Sequence, residues 1–183
     1  GCTFVTFGYG KIGKGIGYQL LKHFPKCSVV ALDSDPAARE RALLNGGKIV
    51  SDEDRLPIML DSLLVVTCTG VDGLLSRLFS ERDVEALLSS ETGTLFANMG
   101  VHDELGVLFP PDHPRVLFQK KAVNFCLEEP TEFSFLDPAF VVSQEALVYL
   151  KHLKAGVHPL PPQLDEKTIS DWERYHGKIP QLL

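Results

Sequence analysis

An apolar run leads directly into a glycine-rich turn in the stretch Phe4-Val5-Thr6-Phe7-Gly8-Tyr9-Gly10-Lys11-Ile12-Gly13-Lys14-Gly15. A strand followed by glycines at positions one, three and six is typical of the turn that binds dinucleotides. Gly8 allows a tight strand-to-helix turn, Gly10 lets the backbone approach a pyrophosphate, and Gly13 lets the helix pack closely on the strand. The positive dipole end of that helix would face the phosphates. The stretch therefore predicts a nucleotide-binding α/β domain.

An acidic residue at the end of the next apolar run indicates which nucleotide is bound. Asp33 follows the run 29–32 and is the residue type that accepts hydrogen bonds from the adenosine ribose and repels a 2′-phosphate. Residues 8–14 also fit the first part of a P-loop, but a P-loop needs Ser or Thr next, and this chain has Gly15. The sequence therefore favours NAD over NADP, and either of these over ATP; a glycine turn without a ligand is the remaining alternative.

Composition and charge exclude several classes of protein. The chain of 183 residues is 44% hydrophobic and 23% charged, as in a globular domain with a core of ordinary size. Its net charge of −6 argues against nucleic acid as a partner. No apolar run approaches the roughly 20 residues of a membrane span, so no membrane partner is expected.

The cysteines and histidines give no sign of a metal site. Cys2, Cys27, Cys68 and Cys126 are scattered without a CxxC pair, and no histidines form HExxH. Free thiols in a reducing cytosol are the simplest interpretation, which predicts a cytoplasmic protein. We expect no metal.

Strand and helix patterns alternate along the chain, which predicts a doubly wound parallel sheet of Rossmann type. The predicted strands are 2–7, 28–33, 48–50, 63–67, 94–97, 116–118 and 122–125. The predicted helices are 13–24, 36–44, 52–60 with an interruption at Pro57, 80–88, 137–153 and 165–175. Asp35 is expected to cap the second helix, with Pro36 at its first position, and Ser80 to cap the fourth.

The domain organisation predicted from these patterns is a dinucleotide-binding domain over residues 1–156, followed by a proline-rich connector and a C-terminal helix over 157–183. The short tail cannot form a core of its own, so it would lie on the main domain, on a partner subunit or on another domain. The first strand begins at once and no initiator Met precedes it, so we expect a fragment of a longer protein.

Several motifs, in order along nearly the whole chain, resemble the adenosylhomocysteinase (S-adenosylhomocysteine hydrolase) family. Residues 8–15 resemble its GYGxVGKG, residues 33–36 its ExDP, residues 67–70 its TxTG and residues 97–100 its CNIG. Residues 123–125 resemble its VNL, residues 130–132 the end of its GHPxE, and residues 160–167 its LPxxLDEx.

The resemblance implies a bound NAD that transiently oxidises the 3′-hydroxyl of the substrate ribose, so that S-adenosylhomocysteine is hydrolysed to adenosine and homocysteine. Asp33 would hold the adenosine ribose in place of the family's Glu. The glycine turn would cradle the pyrophosphate and the later motifs would line the nicotinamide half. The implied cofactor-binding residues are Gly8, Gly10, Lys11, Ile12, Gly13, Asp33, Thr69, Gly70, Met99, Gly100 and Asn124. Lys11 is also of a type that commonly points to solvent.

The chain departs from the family around the nicotinamide. Val71 and Val101 stand where the family has Asn and His, and Glu129 stands where it has His. The terminal Lys and Tyr that reach a neighbouring subunit's cofactor, and so imply a homo-oligomer, are not recognisable after His176. His102 is either a proton-transfer group or a hydrogen-bonded loop residue.

The acid–base residues of the family belong to a substrate domain that precedes the glycine turn and has no counterpart here. We therefore expect the chain alone to be inactive and to require that domain as a partner. Two alternatives stay open: a non-catalytic NAD-binding regulatory or oligomerisation module, and the cofactor domain of another NAD-dependent dehydrogenase.

Overall fold

A computed structural model describes residues 2–126 and 133–178. The chain divides into two compact units, and these two ranges are the described parts of the units. The boundary predicted at residue 156 falls inside the second unit. No helix within the described residues combines the length and apolarity that a membrane crossing requires.

The first unit is built on a five-stranded sheet in which every pairing is parallel. The strands are β1 (Thr3–Phe7), β2 (Ser28–Leu32), β3 (Lys48–Ile49), β4 (Leu64–Thr67) and β5 (Leu95–Asn98), in the order β3-β2-β1-β4-β5. The helices between them are α1 (Lys11–His23), α2 (Pro36–Leu44), α3 (Arg55–Leu60), α4 (Leu74–Leu78) and α5 (Glu81–Ser89). The predicted α/β fold with a doubly wound parallel sheet is confirmed.

Strand β1 lies at the point where the strand order reverses, with β2 on one side and β4 on the other. Phe7 pairs with Leu32 of β2 and with Thr67 of β4, so the three strands end at the same level. The segments that follow them, beginning at Gly8, Asp33 and Cys68, therefore emerge side by side. In open parallel sheets this carboxyl edge at the switch point is where ligands bind.

The core lies on both faces of this sheet. The central strands carry apolar side chains that are fully or almost fully buried, which is the pattern of a sheet covered by helices on both sides. These residues include Val5, Val29, Val30, Val65 and Phe96. Buried apolar side chains of the helices complete the core. Burial of this apolar surface is the main favourable contribution to folding.

Helix starts follow the local sequence closely. Asp35 caps α2 by accepting the N–H of Ala37, with Pro36 at the first helical position, as predicted. Ser80 caps α5, and the Ser80 and Asp83 side chains form a reciprocal capping box. The prediction that Pro57 interrupts its helix is wrong. Pro57 lies in the first turn of α3, where a backbone N–H has no intrahelical acceptor, so its missing N–H breaks no hydrogen bond.

The prediction of strands at 116–118 and 122–125 is wrong. Only Val116 bridges to β5, and the chain then forms two short 3₁₀ helices, Leu117–Lys120 and Val123–Phe125. Phe118, Gln119 and Lys120 all have left-handed φ angles of 49°, 54° and 66°. Each such residue costs roughly 1–2 kcal/mol, so distant contacts must hold this turn.

The prediction of free thiols is confirmed for Cys68 and Cys126 and is wrong for Cys2 and Cys27, which form a disulfide. Each cysteine immediately precedes a strand, and the first residues of those strands, Thr3 and Ser28, are paired in the parallel register. The pairing of β1 with β2 therefore brings the two thiols together. Cys68 and Cys126 are free and half-buried.

The second unit is a pair of helices, α6 (Phe133–Leu150) and α7 (Pro162–His176), that pack on each other. Helix α6 ends at Leu150, before the predicted end at 153. The proline-rich connector before α7 has no regular structure, as predicted, and α7 begins at Pro162, three residues earlier than expected.

Candidate functional site

The glycine turn after β1 is packed so tightly that side chains are excluded at two positions. Gly8 has φ +90°, donates its N–H to the Leu32 carbonyl at 2.8 Å, and would bring a Cβ to 2.8 Å from the Cys68 carbonyl oxygen. A methyl group on Gly13 would overlap the carbonyl oxygen of Gly8. These two glycines therefore fix how β1, α1 and the segment after β4 approach one another.

Gly10 differs from these two glycines because no described residue other than its chain neighbours lies within 4 Å of where its Cβ would be. It precedes α1, whose first turn has no side-chain cap and no acidic residue. The first N–H groups of a helix have no intrahelical partner, so together with the helix dipole they favour an anion. Lys11 and Ile12 are exposed at this helix start. The turn thus leaves open space beside an electropositive helix end.

Asp33 connects the end of β2 to the glycine turn. Its Oδ2 accepts the N–H of Tyr9 at 2.6 Å, and its Oδ1 accepts the N–H of Asp35 at 2.9 Å. These bonds fix the carboxylate in one orientation. A carboxylate oxygen can accept two hydrogen bonds, so each oxygen retains capacity for a ligand donor such as a ribose hydroxyl.

A cavity of about 370 Å³ lies at this edge of the sheet. Its walls bring together the glycine turn, the end of β2, the start of α3, the segment after β4 and one side of α4. The lining residues are Phe7, Gly8, Gly10, Leu32, Asp33, Ser34, Arg55, Cys68, Thr69, Val71, Leu74 and Leu78. The volume is within the usual range for a small-molecule pocket, and apolar walls with a few polar groups are the usual lining of such pockets.

The segment after β4 is held by a buried carboxylate. Glu104 is completely buried, and it accepts hydrogen bonds from the N–H and hydroxyl of Thr69 and from the N–H of Gly70, each at 2.8 Å. Gly100 leaves room for it, because a Cβ there would overlap the Glu104 carboxylate. Sequence reasoning did not single out Glu104, since its role depends on a contact across more than 30 residues.

Cys68 lines the cavity as a neutral thiol. Its Sγ–H donates toward the carbonyl oxygens of Phe7 and Gly8, each 3.2 Å from the sulfur. Burial, and then the nearby Glu104 and Asp33 carboxylates, raise the pKa of Cys68 to about 12. A thiol with this pKa is not a nucleophile near neutral pH.

The end of β5 is organised by Asn98, a second polar residue that the sequence analysis did not single out. Its Nδ2 donates to the carbonyl oxygens of Gly100, His102 and Lys120. The Lys120 ammonium in turn donates to Asp103 Oδ2 at 3.0 Å and to the Gly106 carbonyl at 2.7 Å. These contacts hold the left-handed turn that ends at Lys120.

The cavity includes Gly8, Gly10, Asp33 and Thr69 of the predicted site residues. Three others contact the residues of the cavity wall from outside. Gly13 packs against the backbone of Gly8, Gly70 donates its N–H to Glu104, and Gly100 packs against the Glu104 side chain. The residues that do not line the cavity are Lys11, Ile12, Gly13, Gly70, Met99, Gly100 and Asn124. The structure adds Arg55 and the apolar residues of α4 to the cavity lining, and no local sequence motif predicts them.

Two further residues from the sequence analysis lie away from the cavity. Asn124 is in the second 3₁₀ helix, and within the described residues its buried Oδ1 has no hydrogen-bond partner. His102 is exposed, and its carbonyl oxygen accepts a hydrogen bond from the Asn98 side chain. In the part of the chain that the structure describes, no group of three or more His, Cys, Asp or Glu side chains could hold a metal ion.

Neither a family model nor a curated protein matches the chain in sequence comparisons.

Proposed function

We propose that residues 2–126 bind NAD, with the adenosine half in the cavity and the pyrophosphate at the start of α1. One observation carries the proposal: a single cavity has the open glycine turn at Gly10 and the fixed carboxylate of Asp33 in its walls. A pyrophosphate needs the first feature and a ribose diol the second.

Asp33 supports NAD over NADP in this proposal. Its two oxygens face backbone N–H groups, and both keep acceptor capacity for ribose hydroxyls. A 2′-phosphate in the same place would meet a negative charge with few compensating donors, and like charges at contact distance disfavour binding. We therefore expect a clear preference for NAD.

The resemblance to adenosylhomocysteinases suggests what the bound NAD would do. In that role the chain would hold the cofactor for reversible oxidation of a substrate ribose 3′-hydroxyl, while a separate substrate domain supplies the acid–base residues. The proposal assigns only the cofactor-binding part of that work to residues 2–126, and a homo-oligomer stays a prediction.

A non-catalytic NAD-binding module is the second candidate. It is favoured by Val101, which is 86% exposed where the related family has a histidine, and by Val71, which takes the place of an Asn. A cytoplasmic location stays a prediction for either candidate. The Cys2–Cys27 disulfide counts against it, because reducing compartments keep thiols free.

A matched pair of glycine substitutions tests NAD binding. Apart from the adjoining backbone, no described residue has an atom within 4 Å of the Cβ position of Gly10 or Gly15, so Gly10→Ala and Gly15→Ala should both fold. Only the Gly10 methyl group would occupy the space of the pyrophosphate. By calorimetric titration, we expect Gly15→Ala to bind NAD like the original chain and Gly10→Ala to bind at least about tenfold more weakly.

Two outcomes would overturn the proposal. One is unchanged NAD affinity in Gly10→Ala, which would show that the pyrophosphate does not approach the turn. The other is equal affinity for NAD and NADP in the original chain, which would remove the role of Asp33.

A further inference from the structure

Helix α6 carries apolar side chains on two opposite faces. One face packs on α7, where Val141 lines a small cavity together with Trp172, and Glu145 pairs with Lys167 at 3.9 Å. A second set of apolar residues lies on the opposite side of the helix and is exposed. A helix that is apolar around most of its surface is normally buried on all sides, so α6 needs a partner in addition to α7.

The exposed face of α6 is a continuous apolar stripe with the spacing of a helix–helix contact. Its apolar members have relative exposures between 37% and 64%, and they are Leu136, Phe140, Leu147 and Leu150. Together with the exposed Ser143, they recur at alternating intervals of four and three residues. This is the repeat by which one α-helix packs along another, and it keeps all five residues on one side of α6.

The two flanks of the apolar stripe differ in charge. One flank carries Ala139 and Ala146, whose small side chains leave room for a second helix. The other flank carries Asp137, Gln144 and Lys151 at intervals of seven residues, with Lys151 directly after the last residue of α6. The stripe therefore has one charged flank, which is acidic near the start of the helix and basic at its end.

We propose that the apolar stripe is the interface between two copies of this chain, with their α6 helices antiparallel. In an antiparallel pair related by a two-fold axis, each flank faces the same flank of the other copy. Asp137 then meets Lys151 of the second copy at both ends of the interface, and Gln144 meets its own counterpart near the centre. A parallel pair would place the charged flank beside the alanine flank, where neither charge has a partner.

The same register fills the stripe with apolar contacts. Phe140 packs against Leu150 of the second copy, and Leu147 packs beside Ser143 of the second copy, whose small side chain leaves room for it. The two-fold axis repeats both contacts. One pair of 18-residue helices, each about 27 Å long, buries less surface than a standard stable interface of about 1,200–2,000 Å². We therefore expect a weak dimer, with a dissociation constant of about 1–100 μM.

Sedimentation velocity of the full chain tests the interface. From about 1 to 300 μM we expect the original chain to change from monomer to dimer, and Leu147→Gln to remain monomeric. The matched control is Leu44→Gln, because Leu44 is 61% exposed, against 64% for Leu147, and lies on α2 outside the stripe. This control should dimerise like the original chain. Circular dichroism checks that each variant keeps the helix content of the original chain.

Reversal of charge tests the antiparallel orientation. Asp137→Lys and Lys151→Glu each bring like charges together at both ends of the interface, so each should weaken the dimer about tenfold. The double variant restores the pairs with their signs exchanged, and it should recover the affinity of the original chain. Within one helix the two positions are about 21 Å apart, so such a recovery requires that they meet between copies.

The inference is wrong if the original chain stays monomeric at the highest concentration, because something other than a second copy then covers the stripe. It is equally wrong if Leu147→Gln dimerises like the original chain, since the interface then lies elsewhere. A double variant no tighter than Asp137→Lys or Lys151→Glu would refute the antiparallel pairing. If Leu147→Gln does not fold, Lys151→Glu, which changes a residue beyond the end of α6, and the double variant decide the question.

Discussion

The buried carboxylate of Glu104 should be essential for the stability of the first unit. The substitution Glu104→Gln keeps the shape of the side chain, but its amide can accept at one oxygen only. If that oxygen takes the place of Oε2, the two bonds from Thr69 survive without charge assistance. The amide nitrogen then faces the Gly70 N–H, so a buried donor meets a donor.

The cost of this change follows from typical hydrogen-bond energies. Losing the charge on the acceptor weakens each of the two remaining bonds by about 1 kcal/mol, and an unsatisfied buried N–H costs about 1–3 kcal/mol. Relief from burying a charge offsets part of the sum. We therefore expect Glu104→Gln to lower the free energy of unfolding by about 2–4 kcal/mol.

Native-state hydrogen exchange is the suitable assay, because it reports on individual residues of the first unit, whereas the single tryptophan, Trp172, lies in the second unit. Core amides of β1 and β4, such as those of Val5 and Val65, report global unfolding of the first unit. The control Glu85→Gln makes the same chemical change at an exposed position on α5. A change below about 0.5 kcal/mol in Glu104→Gln, equal to the control, would refute the reasoning.

Three further predictions concern neighbouring features. Cys68 should resist iodoacetamide at pH 8 while Cys126 reacts. The reason is that the Cys68 pKa of about 12 leaves roughly a thousandfold less thiolate than an ordinary cysteine has. Comparable modification rates of the two cysteines, measured by mass spectrometry, would contradict this. Ser80→Ala should destabilise α5 by about 1 kcal/mol in thermal unfolding. It should also raise the pKa of Asp83, which hydrogen bonds from the Ser80 side chain and backbone hold below its usual value; an NMR titration that shows no rise would count against the capping box. Gly13→Ala should abolish or severely reduce folding, because its methyl group would overlap the backbone carbonyl oxygen of Gly8. A variant that melts at the same temperature as the original chain would disprove that close packing.

Local signals in the sequence were enough to predict the fold class. The glycine turn, the apolar strands and the caps at Asp35 and Ser80 depend on neighbouring residues, and the structure has them where they were expected. The prediction of a strand at 116–118 was wrong for a non-local reason. Its left-handed turn is held by Asn98 and by the ion pair of Lys120 with Asp103, which no local pattern reveals.

The candidate site was predictable only in part for the same reason. Gly8, Gly10 and Asp33 belong to motifs with fixed spacing, and they do line one cavity. Arg55 and Glu104 reach the site through tertiary packing, so their sequence positions carry no signal. The Cys2–Cys27 pair had a usable signal, since both residues directly precede strands that a parallel sheet would place side by side.

An NMR titration of the original chain with NAD tests the central claim most directly. The proposed function predicts saturable shifts of backbone amides in the turn 8–14, at 33–35 and at 68–71, with a much smaller response to the same concentration of NADP. Shifts confined to other surfaces of the first unit, or no shift at millimolar NAD, would contradict it.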